Sequence, residues 1–246
     1  MPRRPRVVVP GIAHHITQRG NNRQPVFDTS EDRALYLDLL SRHAVRHGAH
    51  ILAYCLMTNH VHLVMVPDGP HSLARTLRQA HSEYALAVNR MQGRSGHLWQ
   101  CRFFSCPLDR SHLENAIRYV DLNPVRAGLV EVAQAWSWSS ARAHTDAVLR
   151  DEVLACGWRE YLPHGWNFGR WKEMLATSAD AASCDAIRRA TQNGEPLGPR
   201  DFVVQLERRL NRRLKVGARG RPKKRTQAPE DAERQRALFG AGGDGE

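Results

Sequence analysis

The sequence predicts an α+β fold of the ferredoxin-like kind. This is a split-βαβ antiparallel sheet with helices on one face, followed by a helical C-terminal extension and a basic tail. Three observations predict it. Apolar patterning over roughly the first 130 residues runs strand, helix, strand, strand, helix, strand. The middle two strands, residues 50–57 and 60–66, are joined by a tight turn at Thr58-Asn59 and make a hairpin. A long amphipathic pattern stands before the hairpin and another after it.

Each element has a local reason. Residues 6–18 mix apolar and β-branched side chains, the pattern of a first strand broken near Pro10-Gly11. Arg19-Gly20-Asn21-Asn22 is a turn. Ser30 is placed to cap a helix from Glu31 to about His47, with Leu35, Leu39 and Leu40 on its buried face, and Gly48 stops it. The second helix spans Pro70 to about Met91. Gly93 and Gly96 turn the chain into a fourth strand, Leu98–Phe104. A helix from about Ser111 to Leu122 follows, ended by Asn123-Pro124. Trp136-Ser137-Trp138-Ser139-Ser140 reads as a loop held by its tryptophans. Residues 150–211 are helical in pattern, with breaks near Pro163 and over 194–199.

Composition narrows the function. The chain has 246 residues, 41% apolar and 25% charged, which is ordinary globular usage. Its net charge is +11, and 32 of the 36 basic residues are arginines. Arginine forks fit phosphate oxygens and stack on bases, so nucleic acid ranks above membrane or acidic protein as a partner. The excess is concentrated: residues 200–225 carry a net +9. No apolar run has the length of a membrane helix, and the N-terminal residues lack the apolar core of a signal peptide. Five cysteines without a CxxC pair argue against a disulfide scaffold or a four-cysteine zinc site. The expectation is a cytoplasmic protein, held at the nucleoid and away from membranes.

Two motifs carry chemistry. His60-Val61-His62 lies in a strand, so both imidazoles point to one side and can share a divalent cation. Two surface histidines would read the same, and with 13 histidines in the chain the pair alone does not decide. Tyr119 and Asn123 stand four apart on a helix and share a face. A half-buried tyrosine beside a capping asparagine would also read so. Together the motifs fit one mechanism. A phenol is a weak nucleophile near neutral pH, and becomes useful when a metal polarises the electrophile. Attack by Tyr119 on a DNA phosphate would leave a phosphotyrosyl link and a free 3′-hydroxyl.

Asn59-His60-Val61-His62-Leu63-Val64, with Arg118-Tyr119 and Asn123-Pro124-Val125-Arg126-Ala127-Gly128-Leu129-Val130 downstream, resembles the single-tyrosine HUH transposases, and within them the REP-associated tyrosine transposases. Further matches are His15-Ile16-Thr17-Gln18-Arg19-Gly20, Leu98-Trp99-Gln100-Cys101-Arg102-Phe103, Trp136-Ser137-Trp138-Ser139-Ser140 and Gly220-Arg221-Pro222. The resemblance implies cleavage and rejoining of single-stranded DNA beside imperfect palindromic hairpins, with a Mg²⁺ or Mn²⁺ ion. It assigns the metal to His60 and His62 and the nucleophile to Tyr119. Asn123 stands where relatives carry a third polar ligand, often glutamine, which reaches further. A monomer using its own tyrosine is implied; the insertion-sequence relatives, which swap the nucleophile helix in a dimer, keep a dimer open. Residues 1–145 are the expected catalytic domain, 146–215 a helical extension, and 216–246 a flexible tail, basic then acidic.

DNA contacts are expected from Arg19 and Arg102 within the matched motifs. More come from the tail: Arg208, Arg209, Arg212 and Arg213 flank a Phe202, Leu206, Leu210 stripe. Arg219 and Arg221 are the arginines of an Arg-Gly-Arg-Pro core suited to a minor groove, and Lys223 and Lys224 follow it. His15, on the first strand, is placed to reach the histidine pair, with His14 facing away. Trp99, Trp136 and Trp138 are either base-stacking platforms or core anchors. A hairpin-binding protein with weak or lost catalysis is the alternative. Valine at position 64 argues against a histidine-triad hydrolase.

Overall fold

The computed structural model describes residues 5–162 and 164–214. Strands β1 (His14–Arg19), β2 (Ala49–Leu56), β3 (His60–Pro67) and β4 (Phe104–Pro107) form one antiparallel sheet in the order β2-β3-β1-β4. Helix α1 (Ser30–His47) links β1 to β2, and α2 (Ser72–Met91) links β3 to β4. This is the expected split-βαβ arrangement. Both crossovers join parallel strands two apart, and their right-handed sense puts α1 and α2 on one face. There they cover Ile16, Val61, Leu63 and Met65, all fully buried.

Helix α1 begins with a capping box. Thr29, not Ser30, is the cap: its side chain accepts from Asp32 N, and Asp32 Oδ2 accepts from Thr29 N at 2.9 Å. Leu39 and Leu40 are buried as expected, while Leu35 is half-buried. Gly48 ends the helix at φ 62°.

Two expected strands are shifted. The first starts at His14 rather than residue 6, because Val7 and Val9 serve a different core. They pack with Val203, Leu206 and Leu214. The fourth is Phe104–Pro107 rather than Leu98–Phe104. Trp99 keeps a single bridge to Gly20, while its ring turns toward His81, 4.5 Å between centroids, and its Nε1 donates to His81 O. That aromatic packing pulls residues 98–103 out of the ladder. Trp136 is likewise an anchor, donating from Nε1 to Leu56 O at 3.0 Å.

After β4 come α3 (Arg110–Asp121), the single turn α4 (Asn123–Arg126), α5 (Ala141–Thr145), α6 (Phe168–Ala176), α7 (Ala181–Asn193) and α8 (Arg200–Leu210). Residues through Leu214 form one compact unit. Arg118 fastens α3 to the end of α6, donating to Met174 O at 2.9 Å and to Thr177 O at 2.9 Å. No helix among the described residues is long and apolar enough to cross a membrane.

Candidate active site

Alternation on β3 puts His60 and His62 on one face and sends Val61 into the core behind. The β1 register pairs Arg19 with His60 and Thr17 with His62, so His15 lies on the same face. His14 faces away, as expected, with Nδ1 at 2.7 Å from Ile12 O. Asp109 caps helix α3, its side chain accepting from His112 N, and the helix buries Leu113, Ala116, Ile117 and Val120 at helical spacing. The same helix lays Tyr119 against the histidines. Its ring centroid is 5.4 Å from that of His62 and 5.4 Å from that of His15, both edge-on. His60 and His62 are 4.9 Å apart.

The rings are tied to protein partners through one nitrogen each. His60 Nδ1 lies 2.7 Å from Asn59 Oδ1, and His62 Nδ1 lies 3.1 Å from His15 Nε2. Burial lowers the His60 pKa to about 4, with the nearby Arg19 charge adding to it. His62 is pushed well below its ordinary value by burial, then by His15, His60 and Arg126. Both imidazoles are therefore neutral near pH 7, the state in which a ring nitrogen ligates.

The donor set fits a cation in an open site. Two neutral imidazoles keep Nε2 uncommitted, and among the described residues no group of three or more His, Cys, Asp and Glu is placed to hold a metal. Oxygens from elsewhere would have to complete the shell. Asn123 is buried, and its Oδ1 accepts from Arg126 Nη2 at 2.6 Å. Asn123 Nδ2 and Arg126 Nε are buried donors without a hydrogen-bond partner among the described residues. Two unmet N–H groups beside the tyrosine need an oxygen acceptor, and a phosphate supplies several.

Two arginines hold Tyr119. Arg126 donates to its backbone oxygen at 3.0 Å and stacks 4.1 Å from its ring centre. Arg188, on α7, has its guanidinium carbon 5.9 Å from the ring centre, and the Tyr119 side chain raises the arginine's pKa. The sequence motifs include Arg126, but nothing in them points to Arg188. The tyrosine itself is 3% exposed.

The expected DNA-contacting arginines divide by environment. Arg19, Arg102, Arg208 and Arg213 are exposed. Arg209 donates to Pro10 O at 2.9 Å and Arg212 to Pro5 O at 3.1 Å, so these two clamp the N-terminal segment onto α8. Arg219, Arg221, Lys223 and Lys224 lie outside the described residues. A cleft of about 1070 Å³, lined by the start of β2 and by residues 149–160, includes none of the site residues.

The split-βαβ sheet, with a histidine pair and a tyrosine on one face, is similar to known proteins of one kind. Residues 8–123 match the family described as Transposase IS200 like. A Haemophilus influenzae protein named among the REP-associated tyrosine transposases is 28% identical over 112 residues, which is 41% of this chain and 64% of that relative. The chain therefore matches just under two thirds of that relative's length. A REP-associated tyrosine transposase solved bound to a REP hairpin shares the fold at a TM-score of 0.52 and 18% identity. That match covers 63% of this chain and 92% of the other.

Proposed function

We propose that the protein is a metal-dependent single-stranded DNA endonuclease and strand transferase acting at imperfect palindromic hairpins. The observation that carries this reading is the packing of Tyr119 on His62 within one chain, beside two buried donors that lack an acceptor. Mg²⁺ or Mn²⁺ held by His60 and His62 would polarise the scissile phosphate. Asn123 joins these ligands if its oxygen leaves Arg126. The Tyr119 oxygen bonds to phosphorus, the bond from phosphorus to the 3′-oxygen breaks, and the phenolic proton ends on that oxygen. The products are a 5′-phosphotyrosine and a 3′-hydroxyl. The ester link retains the bond energy, so rejoining needs no nucleotide cofactor. The hairpin as partner is supported by the solved relative with its REP hairpin. Exposed Arg19, Arg102, Arg208 and Arg213 are the proposed phosphate contacts within the described residues, and Arg219, Arg221, Lys223 and Lys224 extend them along the tail.

Tyr119→Phe tests the reading. With a hairpin-bearing single strand and Mn²⁺, the wild-type chain should form a covalent protein–DNA band. The variant should bind the hairpin and form none. A persisting adduct would remove Tyr119 as nucleophile. The near-complete burial of Tyr119 favours one second reading, a hairpin binder with weak or lost catalysis. A mobility shift with no covalent band in the wild type, under Mg²⁺ and Mn²⁺, would select it.

A further inference from the structure

We propose that Thr191 and His15 are positioning residues for His62, holding its ring in the form that presents a bare Nε2 to the cation. The inference rests on the metal-dependent reading above. Thr191 lies on α7, outside the family-matching segment, and 176 residues from His15 in the chain.

The contacts form a buried line with one consistent direction. Thr191 Oγ1 donates to Ile187 O at 2.7 Å, the usual backward bond of a helical threonine. That commits its single proton. The same oxygen lies 2.7 Å from His15 Nδ1, so there it accepts, and His15 carries its proton on Nδ1. His15 Nε2 is then a lone pair, and it lies 3.1 Å from His62 Nδ1. His62 must donate across that gap, which puts its proton on Nδ1 and leaves Nε2 bare. Cys106 Sγ, 3.2 Å from Thr191 Oγ1, can donate to the same oxygen without disturbing the order. The reverse order would turn the Thr191 proton to His15 and leave two oxygen lone pairs facing each other at 2.7 Å. His15 and Thr191 are both 1% exposed, so water does not offer an alternative partner.

His60 reaches the same state by a shorter route. Asn59 Nδ2 donates to Arg23 O at 2.9 Å, which fixes the amide so that Oδ1 faces His60 Nδ1. Both rings thus aim Nε2 outward. One is set by its neighbour in the chain, the other by a helix of the C-terminal extension.

The test is the ring state itself, read by long-range ¹H–¹⁵N correlation on the metal-free full-length chain with labelled histidine. Wild type and Thr191→Ser should show His62 protonated on Nδ1. Thr191→Val keeps the volume and removes the acceptor, and should move the His62 proton to Nε2. Mn²⁺ titrated alone should bind the valine variant about 10–100-fold more weakly, with serine restoring affinity. A wild-type His62 protonated on Nε2 overturns the proposal without any variant. So does a folded valine variant with unchanged His62 signals and unchanged Mn²⁺ affinity. Wild type that has the Nδ1 proton yet binds no Mn²⁺ in the presence or absence of hairpin DNA refutes the metal-dependent function and leaves the ring assignment standing.

Discussion

Replacing Asp121 with alanine should be among the most damaging single changes in the α3 region. Asp121 is fully buried two residues beyond Tyr119. Its Oδ1 accepts from Ser140 Oγ at 2.9 Å, and its Oδ2 accepts from Trp171 Nε1 at 3.1 Å and lies 2.7 Å from His144 Nδ1. His144 Nε2 lies 2.9 Å from Leu52 O, so each of its nitrogens faces an acceptor. Breaking such a buried pair costs about 3–5 kcal/mol, because the remaining partner cannot reach water. Trp171 N–H is orphaned as well, at about 1–3 kcal/mol. Ser140 is spared, since it can turn fully to Tyr54 O at 3.2 Å. A loss of about 5 kcal/mol corresponds to a Tm drop of roughly 10–20 °C in a domain of this size.

Asp121→Asn separates charge from hydrogen bonding. The amide oxygen can still accept from His144 and Trp171. Its NH₂ can donate to Ser140 Oγ, which already contacts Tyr54 O. The asparagine variant should lose about half as much as the alanine variant. Calorimetry on wild type, both variants and His144→Ala in each background measures the coupling. An alanine variant within 3 °C of wild type, at about 2–4 °C per kcal/mol, would refute the network. Equal damage from alanine and asparagine would refute the partition between charge and hydrogen bonds.

Acid should destabilise the fold through His14 and His81, whose burial lowers their pKa values to about 4 and about 3. Their neutral forms belong to the folded state. Stability is full above pH ~6.5 and falls by about 1.4 kcal/mol per histidine per pH unit below it. A urea midpoint unchanged between pH 7.5 and 4.5 would contradict this. Leu206→Ala should open the small core shared by Val7, Val9 and α8, costing about 2–4 kcal/mol locally. Hydrogen exchange should quicken in α8 and around residues 7–9 with β3 unaffected, and an equal change in β3 would refute the separation. Arg188→Ala should slow adduct formation roughly 10–100-fold by removing a positive charge beside the nucleophile, with hairpin affinity unchanged. Wild-type adduct rates would exclude a role for that charge.

Much of this was legible in sequence where local periodicity governs. The alternation of His60, Val61, His62 and Leu63 fixed a face, and the caps around α1 and the hairpin turn fixed boundaries to within a residue or two. Misplacements arose where tertiary packing competed with the ladder. Val7 and Val9 have strand-like patterning but are needed beneath α8. Trp99 is β-prone but is claimed by His81 and α2. Thr191 and Arg188 could not be found by spacing, since an ordinary helical threonine and a surface-type arginine gain meaning only when α7 meets β1 and α3.

The family-matching segment ends at residue 123, yet three of the groups that order the site lie beyond it: Arg126, Arg188 and Thr191. The extension therefore belongs physically to the constellation. Helix α3 is fastened in its own chain by Arg118 at α6, by Asp121 at Ser140, His144 and Trp171, and by Arg126 at its end. Lending this helix alone to a second subunit would break the Arg118 and Asp121 contacts at once, including the buried Asp121–His144 contact. Those contacts favour a tyrosine that acts beside its own histidines. They also set where the chain can be cut: removal after Pro199 would strip Val203 and Leu206 from Val7 and Val9, so a test of the basic tail alone has to begin after Leu214.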